Sequence, residues 1–243
     1  MAGHSKWKNI MHKKEKSDAQ KAKIFSKISK EIAIAVKEGG PDPSTNSKLR
    51  ELISKAKSNN VPNDNIERII KKFSGESNVD YEHITYEGYG PAGVAVIVEA
   101  TTDNRNRTAS DMRHYFDKFG GNLGQSGCVS YLFSNVGVII ITRTDSIDED
   151  ELMEAALEAG AIDFITDDDE IYEIHTDYSS LYAVRDALNA TGYNIESAEP
   201  DKIPSSYVIL TDENDIKNMQ LLLSHLDDNE DVQDVYHNWE NVQ

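Results

Sequence analysis

Residues 136–195 read VGVIIITRTDSIDEDELMEAALEAGAIDFITDDDEIYEIHTDYSSLYAVRDALNATGYNI. Val136–Thr142 is an apolar, β-branched run and reads as a strand. A helix follows over about 148–159, with acidic residues in its first turn, where they complement the helix dipole. Ile162–Ile165 and Glu170–His175 read as a hairpin around Asp167-Asp168-Asp169. A second helix is expected over about 179–189, and a strand after Gly192. This β-α-β-β-α-β order is the split βαβ of ferredoxin-like domains.

The flanks carry the same kinds of element. Upstream, Tyr81–Tyr86 and Val94–Glu99 read as strands, 104–119 as a helix closed by Gly120-Gly121, and Val129–Phe133 as another strand. Downstream of Pro200 and Pro204 come a strand (Tyr207–Thr211), a helix (Asp212–Leu226) and a last strand (Val232–His237). The ferredoxin-like unit therefore reads as an insertion into a discontinuous α/β domain. Gly88-Tyr89-Gly90-Pro91-Ala92-Gly93 fits GxGxxG, but Pro91 and the apolar strand after it contradict a dinucleotide site, so it reads as a turn between strands.

The first 75 residues differ. Residues 1–16 are a basic arm, rich in Lys and His with one Trp. A helix runs from Ser17 or Asp18 to Glu38, with Ile24, Ile28, Ile32 and Ala35 on one face and Lys23, Lys27, Lys30 and Lys37 on another. Gly39-Gly40-Pro41 stops it. Two shorter helices, about 46–58 and 63–73, carry Leu49, Leu52, Ile53 and Ala56, then Ile66, Ile69, Ile70 and Phe73, on their inward faces. The fold class is α+β in three domains: 1–76 helical and basic, 77–134 with 205–243 central α/β, and 135–204 inserted and ferredoxin-like.

The chain has 243 residues and a net charge of −18, unevenly placed. Residues 1–75 hold 17 Lys+Arg against 8 Asp+Glu, a net of +9, and the remainder nets −27. A basic part on an acidic body points that part at a polyanion. No apolar run reaches the ~20 residues of a membrane helix, no secretory signal is visible, and the single cysteine, Cys128, forms no internal disulfide. These features predict a cytoplasmic protein.

Several blocks resemble one family. They are Gly3-His4-Ser5-Lys6-Trp7, Lys13-Lys14, Gly39-Gly40-Pro41-Asp42-Pro43 with Asn46, and Ile66-Glu67-Arg68 before Lys71-Lys72. Tyr86-Glu87-Gly88-Tyr89-Gly90-Pro91, Thr102-Asp103-Asn104-Arg105-Asn106-Arg107-Thr108, Gly120-Gly121-Asn122-Leu123-Gly124 and Asp231–Asn238 complete the set. The sequence is similar throughout to the YebC/PmpR family, which includes the mitochondrial translational activators of cytochrome oxidase. Cys128 and Ile69 stand where that family usually has Ser and Ala. The resemblance implies the same three-domain fold. It also implies a nucleic-acid-linked role, as a DNA-binding transcriptional regulator or as a translation factor acting on ribosomes, including at proline-rich stretches.

The candidate nucleic-acid contacts are His4, Lys6, Trp7, Lys8, Lys13 and Lys14 of the arm, Lys23, Lys27 and Lys30 of the first helix, and Arg68, Lys71 and Lys72 of the third. Clustered cations displace counterions from phosphates, and Trp7 is suited to stacking on an unpaired base. The competing reading is a solvated helix face and a tail. Lysine outnumbers arginine, which favours gripping the backbone over reading bases, although Arg68 with Asn63 and Asn65 keeps groove readout open. Asn104, Arg105, Arg107 and Arg113 form a second candidate contact, against a structural reading in which Asp103 caps the helix and the arginines pair with acidic groups.

The seven histidines and one cysteine have no zinc spacing, and HExxH, Walker A and GxSxG are absent. Asp148–Glu151 and Asp167–Glu170 read as a helix start and a turn before they read as weak cation sites. His114, His175 and Cys128 lie in different elements, so a Cys-His pair has little support. The expectation is a non-enzymatic protein without cofactor, metal or membrane association, whose partner is duplex DNA or ribosomal RNA, the ribosome included. The sequence leaves its oligomeric state open.

Overall fold

The computed structural model describes residues 18–75 and 80–240. Among them the elements run α1 (Asp18–Gly39), α2 (Ser47–Ser58), α3 (Asn63–Phe73), β1 (Glu82–Tyr89), β2 (Ala95–Thr102), α4 (Arg105–Lys118), β3 (Asn122–Leu123) and β4 (Phe133–Thr142). They continue with α5 (Glu149–Ala159), β5 (Ala161–Ile165), β6 (Ile171–Asp177), α6 (Leu181–Ala190), β7 (Ser197–Pro204), β8 (Val208–Ile209), α7 (Glu213–Asp228), β9 (Val232–His237) and β10 (Trp239–Glu240). No helix among the described residues is long and apolar enough to cross a membrane.

The described residues fall into two compact units, one of 131–206 and one joining 18–130 to 207–240. In the first, the sheet order is β5-β6-β4-β7 with every pairing antiparallel, as the ferredoxin-like reading expects. Alternation along β4 points Ile139 and Ile141 at α5 and α6, where they bury with Leu152, Ala156, Tyr172, Ile174, Leu181, Val184 and Leu188. Asp148 caps α5 by accepting from the backbone N–H groups of Asp150 and Glu151. Gly160, at φ 104°, ends α5 in the left-handed region that a side chain resists. Pro200 lies within β7 and Pro204 ends it; as an edge strand β7 tolerates the missing donors.

In the second unit the antiparallel sheet β3-β1-β2-β9 packs one face on α4 and α7. Val96 and Val98 bury there with Met112, Phe116, Met219, Leu222, Leu226 and Val232. β9 pairs with β2 although 130 residues separate Thr102 from Val232, so the α/β part is built from both sides of the insertion. The Gly88–Gly93 stretch is a turn between strands: Pro91–Gly93 form one 3₁₀ turn linking β1 to β2.

Two strand readings fail locally. Over Val129–Phe133, Ser130–Leu132 is a 3₁₀ turn and the strand begins only at Phe133. The cause is Glu87, whose buried carboxylate accepts the backbone N–H groups of Gly127 (2.8 Å), Val129 (2.9 Å) and Ser130 (2.8 Å), removing those donors from any ladder. Tyr207–Thr211 shortens to Val208–Ile209, paired in parallel with β10.

The helical segment has its own core of Ile28, Ile32, Ala35, Val36, Leu49, Leu52, Ala56, Ile66 and Ile69. Asn46, 6% exposed, is its keystone. Its side chain caps α2 by accepting from Leu49 N–H (3.0 Å) and donates to the carbonyls of Ala35 (2.7 Å) and Gly40 (2.8 Å). With this core of its own, the segment shares one compact unit with the α/β part.

Candidate nucleic-acid interface

The lysine face of α1 is where that sharing is made. The Lys23 Nζ lies 3.1 Å from Asp228 Oδ1 and 3.5 Å from Asp227 Oδ2. Lys27 Nζ lies 3.5 Å from Asp227 Oδ1 and donates to the Gln233 carbonyl at 3.4 Å. Lys30 donates to Asp231 Oδ1 (2.7 Å) and to the Glu230 carbonyl (2.8 Å). About two turns further on, Lys37 pairs with Asp80. The periodicity correctly places these lysines on one face; what that face meets is the acidic end of α7 and the start of β9.

Burial grades the contacts. The Lys23, Lys27 and Lys30 side chains are 21%, 15% and 12% exposed, and Asp228, Asp227 and Asp231 are 78%, 55% and 6% exposed. The outer pairs are screened by water, where such pairs contribute roughly 0–1 kcal/mol. The inner pair is removed from water, and breaking one half of such a pair costs about 3–5 kcal/mol.

Asp231 is the centre of this junction. Besides Lys30, its carboxylate accepts from Arg107 Nη2 (2.8 Å), Thr108 Oγ1 (2.8 Å) and Thr102 Oγ1 (3.3 Å). Burial alone would raise its carboxyl, but the hydrogen bonds from Lys30, Arg107 and Thr108 outweigh it and hold it down at about 2. Nearby, Thr101 Oγ1 donates to Glu31 Oε1 at 3.1 Å and lies 3.0 Å from His83 Nδ1, a further link from α1 to the sheet.

The 102–108 loop serves the same junction. Asn104, not Asp103, caps α4, accepting from Arg107 N–H at 3.1 Å. Asp103 instead pairs with Arg107 Nη2 at 3.0 Å, which fixes the guanidinium against Asp231. Arg105 pairs with Glu82 at 3.3 Å. Of the second candidate contact, Asn104, Arg105 and Arg107 thus have structural partners, and Arg113 is exposed on α4.

The exposed cations of the helical segment lie elsewhere. Arg68, Lys71 and Lys72 are exposed on α3, with the Lys72 ammonium 5.1 Å from the Phe73 ring. Lys48, Arg50, Lys55 and Lys57 are exposed on α2, and sequence reading passed over them. The signal was present: Lys48 with Lys55, and Arg50 with Lys57, are each seven apart and so nearly in line along the helix. His4, Lys6, Trp7, Lys8, Lys13 and Lys14 lie outside the described residues.

Residues 5–76 match the TACO1/YebC protein N-terminal domain, and residues 81–239 match the TACO1/YebC second and third domain. The chain belongs to the TACO1/YebC family. A relative in Acetivibrio thermocellus is 57% identical over 240 residues, covering 98% of this chain and 99% of its own, and is called a "probable transcriptional regulatory protein". A relative in Ruminiclostridium cellulolyticum with the same description is 58% identical over 241 residues, covering 99% and 97%. The crystal structure of a conserved hypothetical protein of Aquifex aeolicus shares 47% identity over 97% of both chains, with a TM-score of 0.85.

Other chemistry in this TACO1/YebC chain is sparse. Burial and the Glu87 carboxylate push the Cys128 thiol up, away from the thiolate that a nucleophile needs. His175 Nε2 sits 2.5 Å from Glu173 Oε1 within β6. Among the described residues no three His, Cys, Asp or Glu side chains converge as a metal site requires.

Proposed function

We propose that this protein is a non-enzymatic, cytoplasmic regulator of gene expression that binds nucleic acid through its basic helical segment, of the DNA-binding transcriptional type. The observation that carries the reading is charge segregation: +9 in residues 1–75 on a body of −27. The relatives described as probable transcriptional regulatory proteins support the regulatory role. The working cations are those left exposed on α2 and α3, Arg68, Lys71 and Lys72 foremost, together with Lys6, Lys8, Lys13 and Lys14 of the arm. They act by neutralising phosphates and releasing counterions. Arg68, with Asn63 and Asn65 on the first turns of α3, is the candidate for reading base edges.

The second reading is a translation factor on ribosomal RNA. Its support is composition: five of the seven exposed cations on α2 and α3 are lysines, point charges suited to backbone contact. Competition between ribosomes and a pool of genomic duplexes at one physiological salt concentration separates the two. Selection of a narrow set of duplexes supports the transcriptional reading, preference for ribosomes supports the other, and binding to neither overturns both.

A further inference from the structure

Asp227 and Asp228 occupy the last two positions of α7. Two carboxylates at a helix C-terminus face the negative end of the dipole and repel it and each other. The lysines of α1 relieve that repulsion, and the carboxylates in turn cover the lysines. Lys23 and Lys27, at 21% and 15% exposed, can meet phosphate only once these carboxylates move aside.

The junction is graded along α1. Its first turns carry Lys23 and Lys27 on water-exposed acidic partners, whereas Lys30 is anchored to buried Asp231. The buried positions of the helical core begin at Ile28; in the turns before it Ile24 and Phe25 pack on that core only partly buried, so this end of α1 has the weaker apolar hold. Those turns lead directly to the basic arm.

We propose that Asp227 and Asp228 stand in for phosphate: they hold the first turns of α1 through Lys23 and Lys27 until a nucleic-acid backbone displaces them, with Lys30–Asp231 left in place as the pivot. The inference rests on the nucleic-acid reading above and adds its regulation. The ligand is the phosphodiester backbone, and binding exchanges the three internal ion pairs of Lys23 and Lys27 for phosphate contacts. The polyanion wins the exchange through counterion release, which single carboxylates do not offer.

The test is fluorescence anisotropy of the full-length protein with a labelled mixed-sequence DNA duplex and with a single-stranded RNA of the same sequence. Asp227→Asn with Asp228→Asn should tighten binding roughly two- to tenfold, as expected for removing weak, water-exposed pairs. Adding Lys23→Ala and Lys27→Ala should abolish the gain. Glu154→Gln with Glu158→Gln, the same charge change on exposed positions of α5, is the control. A gain no larger than the control's, or one that persists without the lysines, overturns the latch while leaving the nucleic-acid reading intact. Failure of the folded wild-type protein to bind either probe at low salt overturns both.

Discussion

Lys30 and Asp231 meet at 2.7 Å with both side chains largely withdrawn from water, and the pair joins the helical segment to the strand that closes the α/β sheet. Four donors from three elements, α1, β2 and α4, converge on that one carboxylate: Lys30, Thr102, Arg107 and Thr108. Asp231→Ala leaves two cations facing an empty site. It should lower the unfolding free energy by about 3 kcal/mol, read from urea denaturation. A loss under ~1 kcal/mol would place the junction among surface pairs.

The same group sets a pH dependence. Its folded value, about 2, lies below its ordinary 3.8, so the unfolded chain takes up the proton first. The stabilisation is therefore complete above about pH 4 and is lost as pH falls through 2, amounting to about 2 kcal/mol. Denaturant midpoints on either side of that window should differ in the wild type and differ less in Asp231→Asn.

His237 gives a second, separate window. Burial lowers its imidazole from 6.5 to about 4, against a smaller opposing effect of its contact with the Trp239 backbone. The unfolded state binds the proton first here as well, so stability falls as pH drops from about 6.5 towards 4. His237→Gln should flatten the melting-temperature profile across that range; an unchanged slope would assign it to other groups.

Asn46 joins three segments through three hydrogen bonds from a buried site. Asn46→Ala removes the α2 cap and leaves the Ala35 carbonyl without this donor, at about 2 kcal/mol. Asn46→Asp keeps the acceptor but loses both donated bonds, so it should restore little of that loss. Thermal melts of the two variants check the ordering.

Lys71 and Lys72 are exposed on the last turn of α3 and bear on the nucleic-acid reading directly. If each contacts one phosphate, Lys71→Ala with Lys72→Ala should reduce the slope of log affinity against log salt by about 2. The measurement is a salt titration of duplex binding, and an unaltered slope would place the contact elsewhere.

Much of this architecture was legible because local order encodes it. The β-α-β-β-α-β pattern needs only the element types and their order along the chain, and it points to the ferredoxin-like fold, whereas the pairing β5-β6-β4-β7 depends on contacts that periodicity does not give. The apolar face of α1 was likewise visible as Ile24, Ile28 and Ile32. Its lysine face was visible too, but not its partner: Lys23 and Asp228 are 205 positions apart, and periodicity names a face without naming what covers it. Glu87 was legible only as part of a block, because three backbone donors closing on one carboxylate leave no trace in spacing. Two-residue strands such as β3 and β10 fall below any detectable period.

The pairing of β9 with β2 also bears on how the protein is made. A chain emerging from its N-terminus can assemble the three-helix core, and then the inserted ferredoxin-like unit, from contiguous stretches. The α/β sheet remains a strand short, and the Asp231 site lacks its carboxylate, until residues 231–237 have left the ribosome. Until then Arg107 and Lys30 lack their common acceptor, and the apolar face of β2 waits for Val232 and Val235. Pairing of β9 is thus a late closing step that fastens α1 to the α/β sheet, and a chain truncated before residue 231 should stay aggregation-prone and chaperone-bound.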